Sequence, residues 1–251
     1  MSSAVNLKIT PEVDCLPSTG RWRRVVDAAI DALYPRRCLV CDGDGQPGFD
    51  LCRLCEAELP WLPPACPRCA LPSAFGLPCE RCSGRVSPIQ RTRAAFLYNA
   101  PVDRLLPRLK FHDDLCAGRL ASSLMLRMLQ HADRPDALIA IPLHRRRLRK
   151  RGYNQALELA KPLAQALDLP LRGDLLHRRE YTEAQSSLDK EARAVNMQDV
   201  FVGLRGKREV PRHVALVDDV MTTGATLEAA SIALKAIGVQ RVDAWVCARV
   251  P

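Results

Sequence analysis

A chain of 251 residues with 47% hydrophobic and 26% charged residues has an ordinary globular composition, with room for one large domain or two unequal ones. Aromatic residues supply only 5% of it, which argues against a broad base-stacking surface. The formal net charge is +9, but six of the basic residues stand in one run, 144–151 (HRRRLRKR), so the excess is largely local and suits a polyanion.

The first residues, MSSAVNLKITPEVD, lack a basic region followed by an apolar core, and no stretch approaches the length of a membrane span. A cytoplasmic protein with reduced thiols is therefore expected. Residues 1–19 are polar and irregular. Over 21–34, Trp22, Val25, Val26, Ala29, Ile30 and Leu33 recur at helical spacing until Pro35 stops the pattern. An N-terminal segment and amphipathic helix are thus expected over 1–35, the helix packing on the rest of the protein.

Residues 36–84 hold eight of the eleven cysteines in four Cys-x-x-Cys knuckles: Cys38/Cys41, Cys52/Cys55, Cys66/Cys69 and Cys79/Cys82. Two residues between ligands let one turn present both sulfurs to a single ion, so each quartet suits one tetrahedral zinc site. Disulfides are the competing reading, disfavoured in a reducing compartment. Sequential pairing of the knuckles is the arrangement adopted, with interleaved pairing as the alternative. Six prolines between residues 60 and 78 favour short hairpins and turns, so metal is expected to supply stability that a small core cannot. Cys15, Cys116 and Cys247 stand alone and read as buried or half-buried thiols.

From about residue 93 to 251 a second domain is expected. Residues 93–102 (RAAFLYNAPV) read as a strand and turn, 105–112 (LLPRLKFH) as a basic and apolar stretch, 115–132 as a helix, and 136–142 (DALIAIP) as a buried strand. The basic run follows, then a helix from Asn154 to Leu167. Short strands are expected at 171–179 and 201–204, longer ones at 214–219 and 242–250, with a helix at 227–237 between these last two. Strands alternating with helices imply βαβ units and a mostly parallel sheet flanked by helices, whose ligands lie at the carboxyl ends of the strands.

The most informative stretch is 214–226, VALVDDVMTTGAT. A buried strand ends in Asp218 and Asp219; a turn of Thr222, Thr223, Gly224, Ala225 and Thr226 follows, then a helix. Backbone N–H groups at a helix N-terminus have no intrahelical partners and favour an anion. The threonines add hydroxyl donors, and glycine lets the backbone approach closely. The pattern fits a sugar phosphate, with the acidic pair placed for ribose hydroxyls. It resembles the 5-phosphoribosyl-1-pyrophosphate (PRPP) signature of type I phosphoribosyltransferases.

Four further strings extend that resemblance over residues 30–251: the four knuckles; RLKFHDD (108–114); IPLHRRRLRKRGYNQA (141–156), with Tyr153 where the pattern commonly has Phe; and AQSSLDKEARAVNM (184–197), with Gln185, Leu188, Arg193 and Asn196 in register. Together they resemble the ComF family, in which a double zinc ribbon precedes a phosphoribosyltransferase-type domain. The resemblance implies a type I phosphoribosyltransferase fold, PRPP binding and a link to DNA uptake in natural transformation, and leaves the acceptor undefined. It places residues 222–226 on the 5-phosphate and Asp218 and Asp219 on the 2- and 3-hydroxyls, where their charge favours a cationic sugar. Lys110, Leu143, His144, Arg145 and Arg151 go near the pyrophosphate, whose oxygens match the guanidinium fork. Magnesium would accompany PRPP. The plainer alternatives are a solvated helix entry for 144–151, a surface role for Lys110, and a capping role for Arg151, Asn154 and Gln155. Three functions fit this set: phosphoribosyl transfer to an unidentified acceptor; PRPP or single-stranded DNA binding without turnover; and a zinc-stabilised adaptor that docks on a DNA-uptake helicase or recombination protein under PRPP control.

Overall fold

The computed structural model describes residues 35–111, 114–179, 200–206 and 208–251. Among these are strands β1 (Arg91–Leu97), β2 (Ala137–Ala140), β3 (Leu176–Arg178), β4 (Phe201–Gly203), β5 (His213–Met221) and β6 (Arg241–Arg249). The helices are α1 (Arg53–Ala57), α2 (Val102–Phe111), α3 (Leu115–Leu129), α4 (Arg145–Arg151), α5 (Gln155–Leu167) and α6 (Ala225–Ala236). β1, β6, β5 and β2 lie side by side in that order, every neighbouring pair parallel.

Side-chain alternation along the two central strands builds the layers. From β5 and β6, Val214, Leu216, Ala244 and Val246 enter a core with Leu227, Ala230 and Leu234 of α6. Their neighbours Ala215, Val217, Trp245 and Cys247 enter the opposite core, with Leu124 of α3 and Leu159 and Leu163 of α5. Both sheet faces are covered, so the strands read as continuous apolar runs. Each fully buried leucine contributes roughly 1.5–3 kcal/mol.

The expected strand at 171–179 divides in two. Leu171 makes a single parallel bridge to Leu138 at the β2 edge, while β3 pairs antiparallel with β4 as a separate two-stranded sheet. Between them Arg172 turns back on Asp174, Nε to Oδ1 at 2.8 Å, and breaks the extended run. The stretch 105–112, left without an element above, lies largely in helix α2. The helix expected at 227–237 starts two residues earlier, directly after Gly224. The segments 21–34 and 184–197, and with them Cys15, Gln185, Leu188, Arg193 and Asn196, lie outside the described residues.

The cysteine module is built into this frame. Residues 60–67 run along the outer edge of β1: the Leu62 N–H donates to Ala95 O at 2.9 Å, the Leu97 N–H to Pro60 O at 2.9 Å and the Thr92 N–H to Pro67 O at 2.7 Å. Trp61 stacks obliquely on Phe96 with ring centres 4.7 Å apart. Leu51 and Leu59 of the first quartet join the α3/α5 core, whereas Ala70, within the second quartet, and Ile89 join the α6 core. Among the described residues no helix is long and apolar enough to cross a membrane.

Candidate active site and metal centres

The eight knuckle cysteines form two clusters in sequential order, Cys38, Cys41, Cys52 and Cys55, then Cys66, Cys69, Cys79 and Cys82, with the sulfurs of each cluster within 4.8 Å of one another. All eight are free thiols, which removes the disulfide reading, and the grouping removes the interleaved one. A tetrahedron of sulfurs about 2.3 Å from a central zinc has edges of about 3.8 Å. The Cys41–Cys52 and Cys69–Cys79 sulfur separations, 3.8 and 3.7 Å, match that edge. Burial alone would push the Cys38 and Cys66 thiols up. Backbone N–H groups outweigh it, from Cys52, Cys41 and Val40 at the first sulfur and from Cys79, Cys69 and Arg68 at the second, and hold both at about 6. The donor set is that of two structural zinc centres.

The second site lies at the carboxyl end of the parallel sheet. β5 carries Asp218 and Asp219 near its end, and consecutive strand residues point to opposite faces. Asp219 is buried, with Oδ2 2.7 Å from Lys110 Nζ of α2. Lys110 thus reaches the acidic pair across the layer that α2 covers. Asp218 is half-buried and accepts the Asp219 N–H at Oδ1, 2.9 Å away. Loss of water around the Asp218 carboxyl, reinforced by the neighbouring Asp219 charge, holds it well above the ordinary carboxylate range.

A carboxyl held high in the folded chain keeps a proton that the unfolded chain has already released. Folding stability therefore falls as pH rises above about 4, the ordinary aspartate value. Asp218→Asn is expected to raise the ligand-free melting temperature by several degrees and to flatten its decline as pH rises above about 4. Melting curves of both proteins across that range check this, and parallel curves would count against it.

Beyond β5 the chain turns at Gly224, whose φ of +88° lies in the left-handed region. A Cβ there would stand 2.6 Å from the Met221 side chain. Gly224 also caps α6 without offering a side-chain acceptor, so the first-turn N–H groups and the helix dipole face the loop. Thr222, Thr223 and Thr226 are exposed around it, Ala225 is half-buried, and Thr223 Oγ1 accepts the Ala225 N–H at 3.4 Å. The geometry suits an anion, shortly beyond the paired carboxylates.

The basic run follows β2, whose carboxyl end lies beside that of β5. Leu143 and His144 form the connection, and His144 caps α4, its Nδ1 accepting the Arg146 N–H at 3.2 Å. Arg145 opens the helix and is exposed. Arg151 donates to Gln155 Oε1 at 2.9 Å and lies over the Phe111 ring at 5.2 Å. Asn154 caps α5 by accepting the Ala156 N–H at 3.1 Å and donates to Ile141 O at 3.0 Å. The Tyr153 hydroxyl donates to Leu109 O. The Arg-Gly-Tyr-Asn-Gln stretch therefore braces α2, and with it Lys110, against the site.

One participant escaped the sequence reading. Arg249, at the end of β6 and 2% exposed, donates from Nε to Cys69 O at 2.7 Å and from Nη1 to Met221 O at 3.2 Å and Thr222 O at 2.5 Å. The one visible signal was an arginine closing an otherwise apolar strand.

Comparison with known proteins finds a match for each half of the chain. Residues 29–83 match the double zinc ribbon domain, and residues 154–251 match the phosphoribosyl transferase domain. Competence protein F of Haemophilus influenzae is 31% identical over 222 residues, covering 85% of this chain and 96% of that protein. DNA utilization protein YhgH of Escherichia coli O157:H7 is 32% identical over 211 residues, covering 80% and 91%. Competence protein ComFC of Bacillus subtilis is 27% identical over 216 residues, covering 77% and 86%. With two four-cysteine centres and a phosphoribosyltransferase domain in one chain, the protein belongs to the ComF family.

Proposed function

We propose that this protein binds PRPP at residues 218–226 and transfers its phosphoribosyl group to an acceptor still to be identified, in the service of DNA uptake. The observation that carries the reading is the left-handed, uncapped turn at Gly224, which opens a helix N-terminus to an anion immediately beyond Asp218 and Asp219. The role in DNA uptake is supported by the competence and DNA-utilization names of the relatives. In the transfer, the C1–oxygen bond to pyrophosphate breaks and a bond from C1 to the acceptor forms, the electron pair leaving with pyrophosphate. The 222–226 loop holds the 5-phosphate, and the two aspartates orient the ribose hydroxyls and favour the electron-poor sugar. Lys110, near the surface end of its ion pair, and the residues after Pro142 face the leaving diphosphate. The hard carboxylate oxygens of Asp218 and Asp219 fit magnesium, which when bound with PRPP would neutralise the diphosphate.

A second reading is favoured by α4. Arg145, Arg146, Arg147, Arg149 and Lys150 are all exposed on this short helix. Such a surface would hold single-stranded DNA or a partner protein of the uptake machinery in a PRPP-regulated complex without turnover. Pyrophosphate release from PRPP and magnesium, measured against a panel of nucleobases in the cytoplasm-like reducing buffer the thiols require, separates the two. Acceptor-dependent release supports transfer. Saturable PRPP binding with no release from any acceptor moves the assignment to the binding role.

A further inference from the structure

Arg249 is a buried cation among main-chain carbonyls. Its guanidinium donates to the carbonyls of Cys69, Met221, Thr222 and Val250, and no carboxylate among the described residues pairs with it. Placing a charge in such a position is costly unless something nearby balances it. Two sources of negative charge adjoin the groups it binds. One is the second zinc centre, where four thiolates on a dication leave a net negative charge and Cys69 is itself the hydrogen-bonded residue. The other is whatever anion occupies the turn whose backbone Arg249 holds at Met221 and Thr222. Between ribbon and turn lies a cleft of about 480 Å³ whose lining includes Cys69, Arg81, Thr222, Thr223, Glu228 and Arg249.

We infer that Arg249 couples the second zinc centre to the phosphate turn, so that zinc held by Cys66, Cys69, Cys79 and Cys82 and an anion held at residues 222–226 strengthen each other. The inference rests on reading that turn as an anion site. Loss of zinc loosens the Cys66–Cys69 knuckle and frees the Cys69 carbonyl from Arg249, and the guanidinium that holds Met221 O and Thr222 O loses its fixed partner. An anion fixes Thr222, which fixes the guanidinium, which in turn fixes the knuckle; such linkage is reciprocal. The first zinc centre reaches the domain differently. Arg108 of α2 donates to Leu39 O at 2.6 Å, and Leu51 and Leu59 pack in the core layer opposite α6. It therefore serves as an internal reference.

The test is zinc release to a chromophoric chelator from the intact, fully loaded protein, with alkylation mass spectrometry reporting which quartet has opened. Release is followed alone, with PRPP and magnesium, and with inorganic phosphate. PRPP should slow opening of the second quartet by about fivefold or more, the lower range of ordinary site-to-site coupling, with little change at the first. Arg249→Met should abolish that difference while both quartets still load, and Arg249→Lys, which keeps the charge but not the fork, should restore part of it. Equal slowing at both quartets, or an unchanged difference in both variants, overturns the coupling. If PRPP does not bind but phosphate protects the second quartet, the PRPP assignment falls and the coupling stands; if neither ligand protects it, the coupling falls.

Discussion

Stripping zinc from the purified protein should open the whole cysteine module and lower the melting temperature of the rest of the chain with it. Structural zinc supplies on the order of 10 kcal/mol to small modules of this kind, and here the loss would not stay local. Leu51 and Leu59 belong to the same core as α3 and α5, and Ala70 belongs to the core beneath α6. Cys55→Ser should reproduce the effect through the first centre and Cys66→Ser through the second. Metal analysis should return two zinc ions per chain in the native protein, one for each cluster. Limited proteolysis after chelation should cut first within residues 36–84, followed by faster cleavage of the second domain. Unchanged cleavage and melting after complete metal removal would show that the knuckles hold their shape without the ion.

The second large effect concerns the acidic pair. At a hundredfold excess over its dissociation constant, a ligand that binds only the folded chain adds about 2.7 kcal/mol of stability. PRPP with magnesium should therefore raise the melting temperature by several degrees, and Asp218→Ala/Asp219→Ala should lose that increment. The ligand-induced shift, not the absolute melting temperature, is the quantity to compare. Asp219 is the buried partner of Lys110, and removing it alone strands a half-buried ammonium. No shift in the native protein at saturating PRPP, or a full shift in the double variant, sinks the assignment of this pair to the ribose.

Features confined to a few consecutive residues were legible in the sequence. A zinc knuckle needs only two cysteines on one turn, and the strand, acidic pair, glycine turn and helix of 214–226 are contiguous, so each could be read without knowing the rest of the fold. The alternation of strands and helices likewise gave the parallel sheet. What could not be read depends on partners far apart in the chain. Lys110 sits in a stretch whose helical spacing (Val102, Leu105, Leu106 and Leu109) is interrupted by Pro107, and only the docking of α2 by Tyr153 and Arg151 shows that its ammonium meets Asp219. Arg249 looks like the polar end of an apolar strand until its contacts with Cys69 and Thr222 are seen. β3 and β4 are three residues each, too short for pattern to tell whether they join the main sheet or pair with each other. The basic run predicts charge but not form; its first turn is set by the imidazole of His144, a residue seldom counted as a helix cap.

The strip of chain at 60–67 has a consequence for how the protein can be divided. It occupies the hydrogen-bonding rim of β1, which without it would offer a row of open amides and carbonyls beside a Phe96 stripped of its Trp61 cover. Such a rim is a template on which a neighbouring copy can add its own strand. A fragment beginning at residue 91 should keep the phosphoribosyl transferase domain and aggregate through that open rim. The metal-bearing half is thereby a guard against self-association, and the two halves are separable by name but not by scissors.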